Sequence, residues 1–134
     1  MKLTKEDKKL IEQAKGIIVK SKSVKLIDTS EVGSALITPK GNIFRGVSLG
    51  FYCGIGSCGE YQAIGSMISN GEKEIKTIVA IDDEGNIMPP CGKCREMILQ
   101  ACKKNKDTGV IISKSKKVKL KELLPYPWGE SIEK

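Results

Sequence analysis

Apolar residues recur at Leu10, Ile11, Ala14, Ile17 and Ile18, one stripe of an amphipathic helix over Leu3 to Lys20, with Thr4 placed to cap its start. The pattern then shortens. Glu31 to Thr38 and Ile43 to Leu49 are β-rich runs, and Pro39-Lys40-Gly41-Asn42 between them has the composition of a hairpin turn. Gly50 to Ser57 is rich in glycine and predicts a loop. A second helix is predicted from Cys58 to the Asn70-Gly71 stop signal. Lys76 to Ile81 has the profile of a buried strand, Asp82 to Asn86 of a turn, and Ile87 to Pro90 leads into a third helix over Cys91 to Lys104. Val110 to Ser113 and Lys117 to Leu120 read as two further strands, and the tail Glu122 to Trp128 is broken by prolines. The order α-β-β-α-β-α-β-β predicts an α/β fold with a mixed sheet of about five strands and helices on its faces. No shift in composition marks a boundary, so residues 1–134 are expected to form one domain.

Composition narrows the class. At 134 residues, 40% hydrophobic and 29% charged, the chain is of a size that buries a core without disulfide staples. Met1 to Leu10 is charged and lacks the apolar segment of a signal peptide, and no apolar run approaches the ~18 residues that span a bilayer. A cytoplasmic protein with no membrane partner is expected. Five cysteines, two of them in a C-x-x-C, favour metal binding in a reducing compartment over a disulfide framework. There is no histidine, which removes Ser-His-Asp and Cys-His mechanisms. The net charge of +7 comes almost wholly from lysines scattered among acids, with Arg45 and Arg95 the only arginines. That distribution fits solvated surfaces better than a nucleic-acid groove.

The chemistry-bearing residues are Cys58-Gly59-Glu60 and Pro90-Cys91-Gly92-Lys93-Cys94. Both sit at predicted helix starts, where free N–H groups and the helix dipole stabilise thiolates. Cys91 and Cys94 are three apart and share a helix face. Cys58, Cys91 and Cys94 together supply three thiolates and leave the fourth position of a tetrahedral zinc open to water. Glu60, two residues after Cys58, is then placed to shuttle protons, and Arg95 is the nearest cation able to hydrogen-bond a ligand sulfur. A rival assignment adds Cys53 to make a closed four-cysteine structural site, in which Glu60 would be idle. Cys102 is expected to be a buried helix residue. Phe51, Tyr52 and Tyr61 near the first motif, and Tyr126 and Trp128 in the tail, are candidates either for the walls of a base pocket or for the core.

The C-x-E and P-C-x-x-C layout resembles that of the zinc-dependent deaminases of nucleobases. The chain is similar to the cytidine deaminase family well beyond those motifs. Val32-Gly33-Ser34-Ala35-Leu36 resembles the family's V-G-A-A-L strand, followed by Gly41-Asn42-Ile43-Phe44-Arg45-Gly46-Val47. Glu122-Leu123-Leu124-Pro125-Tyr126-Pro127-Trp128-Gly129 resembles its terminal E-L-L-P…F-G. The resemblance implies a three-layer α/β/α sandwich, a zinc ion on Cys58, Cys91 and Cys94, catalysis by Glu60, a Gly59 N–H on the base carbonyl, and a homotetramer whose neighbours complete each site. It implies hydrolytic attack of zinc-activated water on C4 of a cytosine nucleoside or analogue. Three departures bear on the substrate. The family's N-x-E ribose-binding pair is missing from Val47-Ser48-Leu49-Gly50, which would deprive a ribose hydroxyl of a charge-assisted partner worth about 1.5–3 kcal/mol. Ser30-Glu31 stands where a stacking Phe is usual, and Tyr61 where an Arg commonly supports the thiolates. The short Gly46-Val47-Ser48-Leu49 segment and Trp128 look more like the blasticidin-S deaminase branch, with Ser48 as a polar contact to the sugar-like ring and Tyr126 and Trp128 at the substrate. A polynucleotide cytosine deaminase is the alternative from another class, but the arginine- and aromatic-lined groove it needs is not seen.

Overall fold

A computed structural model describes residues 1–24 and 31–132 of the chain. Ser30, at the usual stacking-Phe position, lies outside the described residues. Helix α1 spans Lys5–Ser21 and buries Leu10, Ala14 and Ile18, the stripe its periodicity predicts. Its start is fixed by a reciprocal cap: the Asp7 N–H donates to Thr4 Oγ1 at 3.2 Å and the Thr4 N–H to Asp7 Oδ2 at 2.9 Å. Asp7 is 1% exposed and also receives Lys117 Nζ at 2.7 Å, which ties α1 to the far end of the chain.

Burial alone would raise the Asp7 carboxyl, but the Lys117 ammonium and the Thr4 N–H outweigh it and hold the pKa below 3.8. Because folding lowers this pKa, the stability it contributes is complete above the unfolded value and is lost as pH falls through the folded one. Asp7→Asn, which leaves Lys117 without its partner, is expected to cost about 3 kcal/mol at neutral pH, toward the lower end for a broken buried pair. Urea unfolding at pH 7 and pH 3 checks this, and the gap between variant and wild type should shrink at the lower pH.

Strands β1 (Val32–Ile37) and β2 (Ile43–Val47) form the predicted hairpin, closed by Thr38 N–H on Asn42 O at 2.9 Å with Gly41 at φ 88°. With β5 (Thr77–Asp82), β6 (Gly109–Ile111) and β7 (Lys117–Lys119) they make a five-stranded mixed sheet in the order β2-β1-β5-β6-β7. Among the described residues only β5 and β6 pair in parallel. Ala35, Ile37, Val79, Ile81 and Ile111 face α1. Leu36, Ile78 and Val110 face α2 (Gly59–Ser69) and α3 (Gly92–Ala101), so the fold is the expected α/β/α sandwich. Helix α2 carries Gly65 in its interior, which costs up to ~1 kcal/mol. Burial of Ala63, Ile64 and Met67 offsets it, at roughly 1.5–3 kcal/mol for each large side chain.

Three segments differ from the sequence expectation. Residues 50–57 are not simply loop: β3 (Leu49–Gly50) and β4 (Gly56–Ser57) pair around a 3-10 turn, Tyr52–Gly54, whose Cys53 and Gly54 both have positive φ. Helix α3 stops at Ala101, because Cys102 is extended and a 3-10 turn at Lys103–Asp107 follows. Asn105 pins that turn, accepting from Ile75 N and donating to Lys73 O and Ile98 O. The proline-broken tail holds two short helices, α4 (Leu120–Leu123) and α5 (Trp128–Ser131). No helix among the described residues is long and apolar enough to cross a membrane.

Topology places the site. Both β2 and β5 run antiparallel to β1, so they run parallel to each other. Their carboxyl ends, Val47 and Asp82, pair with Gly33 and Val32 at the start of β1. Helices α2 and α3 follow β2 and β5, so both motifs return to one end of the sheet, the usual ligand side of strands in this arrangement.

Candidate metal and catalytic site

Cys58 and Cys91 are the N-cap residues of α2 and α3, with extended backbone at φ −77° and −71°. The Cys58 thiol makes no capping bond, whereas Cys91 is exposed and its sulfur lies by the Cys94 and Lys93 N–H groups. Cys94, one turn into α3, is fully buried, and its sulfur lies 3.3 Å from that of Cys58. Two sulfurs sharing a tetrahedral zinc at about 2.3 Å stand roughly 3.8 Å apart, so only a small adjustment separates this pair from a bound one. Burial, with the Glu60 carboxylate and the Cys58 and Cys91 sulfurs close by, pushes the Cys94 thiol far up. The Cys94 and Lys93 amides at the start of α3 instead pull Cys91 down against its burial.

No three His, Cys, Asp or Glu side chains among the described residues stand in a preformed metal cage. The donor set nevertheless fits zinc. The Cys58 and Cys94 sulfurs meet, and Glu60 and Cys91 are near enough to act on the Cys94 thiol, a soft donor set of the kind zinc takes.

Glu60 lies in the first turn of α2 and is only 6% exposed. Burial raises its carboxyl, opposed by its own N–H and by the Cys94 thiol. It borders a narrow crevice formed with Ile78, Val79, Ala80, Pro90, Val110 and Ile111. Gly59 packs this turn against the sheet: a Cβ there would meet Gly46 O at 3.2 Å and Ser34 N and Val32 O at 3.3 Å. Gly46, on β2, is tighter still, although nothing in its sequence context marks it as a site residue.

Several candidate residues take other positions. The Ser48 hydroxyl, expected at the sugar, accepts from Val32 N at 3.1 Å, because the β1–β2 register puts Ser48 opposite Val32. Arg95, expected on a ligand sulfur, instead donates from Nε to Pro90 O at 2.7 Å and from Nη1 to Leu123 O at 3.0 Å. Tyr126 is fully exposed and Trp128 is 61% exposed, so within one chain neither walls a pocket at Glu60. The tail is anchored on α3 through Glu96, which accepts from Trp128 N and Gly129 N. Phe51, Tyr52 and Tyr61 are exposed, which excludes a core role. Tyr61 carries Lys93 Nζ 5.2 Å above its ring. Cys53, like Cys91, is exposed, but only Glu60, Cys58 and Cys91 act on the Cys94 thiol, which gives the four-cysteine assignment no support. Cys102, expected to be a buried helix residue, is half-buried and follows the end of α3. Glu96, which holds the tail, escapes a reading of the sequence, where its only signal is an acid on the helix beside the second motif.

The fold and the paired cysteine motifs define a deaminase-like α/β/α domain. Solved structures agree. The chain superposes on cytidine deaminase from Burkholderia pseudomallei with a TM-score of 0.76 at 24% identity, over 94% of this chain and 100% of that one. It matches cytidine deaminase from Mycobacterium leprae with a TM-score of 0.76 at 21% identity, over 88% and 96%. At such identities the likeness is one of fold. The chain belongs to the cytidine and deoxycytidylate deaminase family, whose zinc-binding region matches residues 4–109. It is 41% identical over 76 residues to the blasticidin-S deaminase of Bacillus cereus, covering 50% of this chain and 54% of that protein. It is 30% identical over 73 residues to the cytidine deaminase of Halalkalibacterium halodurans, covering 54% and 55%. The matches thus span about half the length of these curated relatives.

Proposed function

We propose that residues 1–134 act as a single catalytic domain for hydrolytic deamination of a cytosine nucleoside or nucleoside analogue, with zinc on Cys58, Cys91 and Cys94. The observation that carries this is the meeting of the Cys58 and Cys94 sulfurs at 3.3 Å beside the buried Glu60. Zinc in that position supplies Lewis acidity, lowering the pKa of water toward neutrality. Glu60 takes the proton released by the attacking water and delivers it to ring N3. It then passes a second proton to the amino group, which leaves C4 as ammonia while the ring keeps the new carbonyl oxygen. A carboxyl whose pKa is raised by burial is suited to act in both directions. The Gly59 N–H, at the start of α2, is assigned to the base carbonyl.

The substrate is a small nucleoside-like molecule, of the blasticidin S type in preference to cytidine. Identity to the Bacillus cereus blasticidin-S deaminase and the missing N-x-E pair support that preference. We further propose a cytoplasmic homotetramer. The exposed Phe51, Tyr52, Tyr61, Tyr126 and Trp128 supply apolar surface that such an assembly would cover. The test is ammonia release by the zinc-loaded protein on cytidine, deoxycytidine, cytosine and blasticidin S, with light scattering on the same sample. Turnover of blasticidin S above cytidine, by four-chain particles, is expected. A tetrameric, zinc-loaded protein that releases no ammonia from any of the four would defeat the assignment.

A further inference from the structure

The two residues directly after Cys94 hold the C-terminal tail at two points. Arg95 divides its guanidinium between the carbonyl of Pro90, the buried residue preceding Cys91, and the carbonyl of Leu123 at the end of α4. Glu96 accepts Trp128 N–H at 2.6 Å on one oxygen and Gly129 N–H at 3.2 Å on the other, where Gln100 Nε2 also donates at 3.1 Å. The fit at the second point is close: a Cβ on Gly129 would stand 3.1 Å from both Gln100 Cγ and Glu96 Oε2. Between the two points the chain arches through Pro125-Tyr126-Pro127, with Tyr126 at φ 53°. A non-glycine residue persists there only where its surroundings over-determine it, and the two anchors do so.

We propose that this arm, residues 123–129, braces the second cysteine motif, with Arg95 and Glu96 as positioning residues. This depends on Cys91 and Cys94 being metal ligands as assigned above. The connection runs from Glu96 through the arm to Leu123, from Leu123 to Arg95, and from Arg95 to the Pro90 carbonyl that fixes the approach to Cys91. A lysine at position 95 keeps the charge but not the fork that serves two carbonyls in different directions.

The test uses the full zinc-loaded chain and its variants Glu96→Ala, Glu96→Gln and Arg95→Lys, with Asp7→Asn as a destabilised control far from the motif. In variants that light scattering shows to keep the wild-type assembly, acrylamide quenching of Trp128, the only tryptophan, reads the arm, and the rate of zinc loss to a chelator reads the motif. Glu96→Ala should raise quenching and speed zinc loss about 10-fold, within the range seen when partners of metal ligands are removed. Glu96→Gln, which keeps one acceptor oxygen, should recover part of both, and Arg95→Lys should speed zinc loss at least as much. Loosened quenching with zinc loss at the wild-type rate would refute the brace, as would equal acceleration in Asp7→Asn, which would make the effect one of global stability. A wild-type chain that takes up no zinc would be a different failure, that of the metal assignment itself.

Discussion

Glu60→Ala is expected to retain zinc in full and to lose deaminase turnover by about three orders of magnitude, within the range for removal of a positioned acid–base group. The zinc half of this result follows from position. Glu60 stands beside Cys94 without being needed as a ligand, since in the proposed site three thiolates leave only one place for water. The kinetic half follows from burial: a carboxyl 6% exposed has no bulk water at hand to replace it. Metal analysis together with kcat on the best substrate decides it. Loss of zinc along with activity would make Glu60 a ligand, and an active variant would remove it from the mechanism altogether.

Gly46→Ala is expected to destabilise the fold and to disturb the proposed site. Its Cβ would lie 2.4 Å from Gln62 Cβ, 2.6 Å from Ala63 N and 2.7 Å from Gly59 O, two of them backbone atoms of α2. The helix must therefore move off β2, at a cost of about 1–3 kcal/mol or more for overpacking. The same shift carries Cys58 and Glu60 away from Cys94, so zinc affinity and turnover should fall further than stability alone explains. Gly65→Ala provides the contrast. Nothing lies within 4 Å of its Cβ, and it should stabilise α2 by up to ~1 kcal/mol. Urea midpoints for the two variants, with zinc content for the first, check both. Equal midpoints would show that α2 yields at no cost.

The chain's local patterns were legible where one rule dominated. Helix α1 begins at the Thr4 cap and buries its predicted stripe, and the strands around Pro39–Asn42 pair as a hairpin. The cysteine motifs and Glu60 stood out as candidates because metal chemistry restricts both residue type and spacing, and the fold brings the Cys58 and Cys94 sulfurs together beside Glu60. Long-range consequences were not. The insertion of β1 between β2 and β5 depends on which strand edges meet, and alternation within a strand does not encode its neighbours. Ser48 looked free for a ligand because the register that gives its hydroxyl to Val32 N is a tertiary fact. Arg95 stands next to the candidate ligand Cys94 in sequence, yet it turns toward two carbonyls. The aromatics were the least legible, since the pattern could not tell a core residue from an exposed one.

The place of β1 between β2 and β5 also sets an order of assembly. Its pairing with β2 closes a short turn, whereas its pairing with β5, from Ile37↔Thr77 to Val32↔Asp82, must wait for the whole of α2 to cross over. Local contacts of the first kind form ahead of those of the second. The Cys58 and Cys94 sulfurs, 36 residues apart in sequence, cannot meet until that later step is complete and α3 has folded back. A fragment carrying either motif alone lacks part of the sulfur set. If these cysteines hold zinc as proposed, tight capture belongs to the finished tertiary structure, and a nascent chain still missing α3 lacks the complete site.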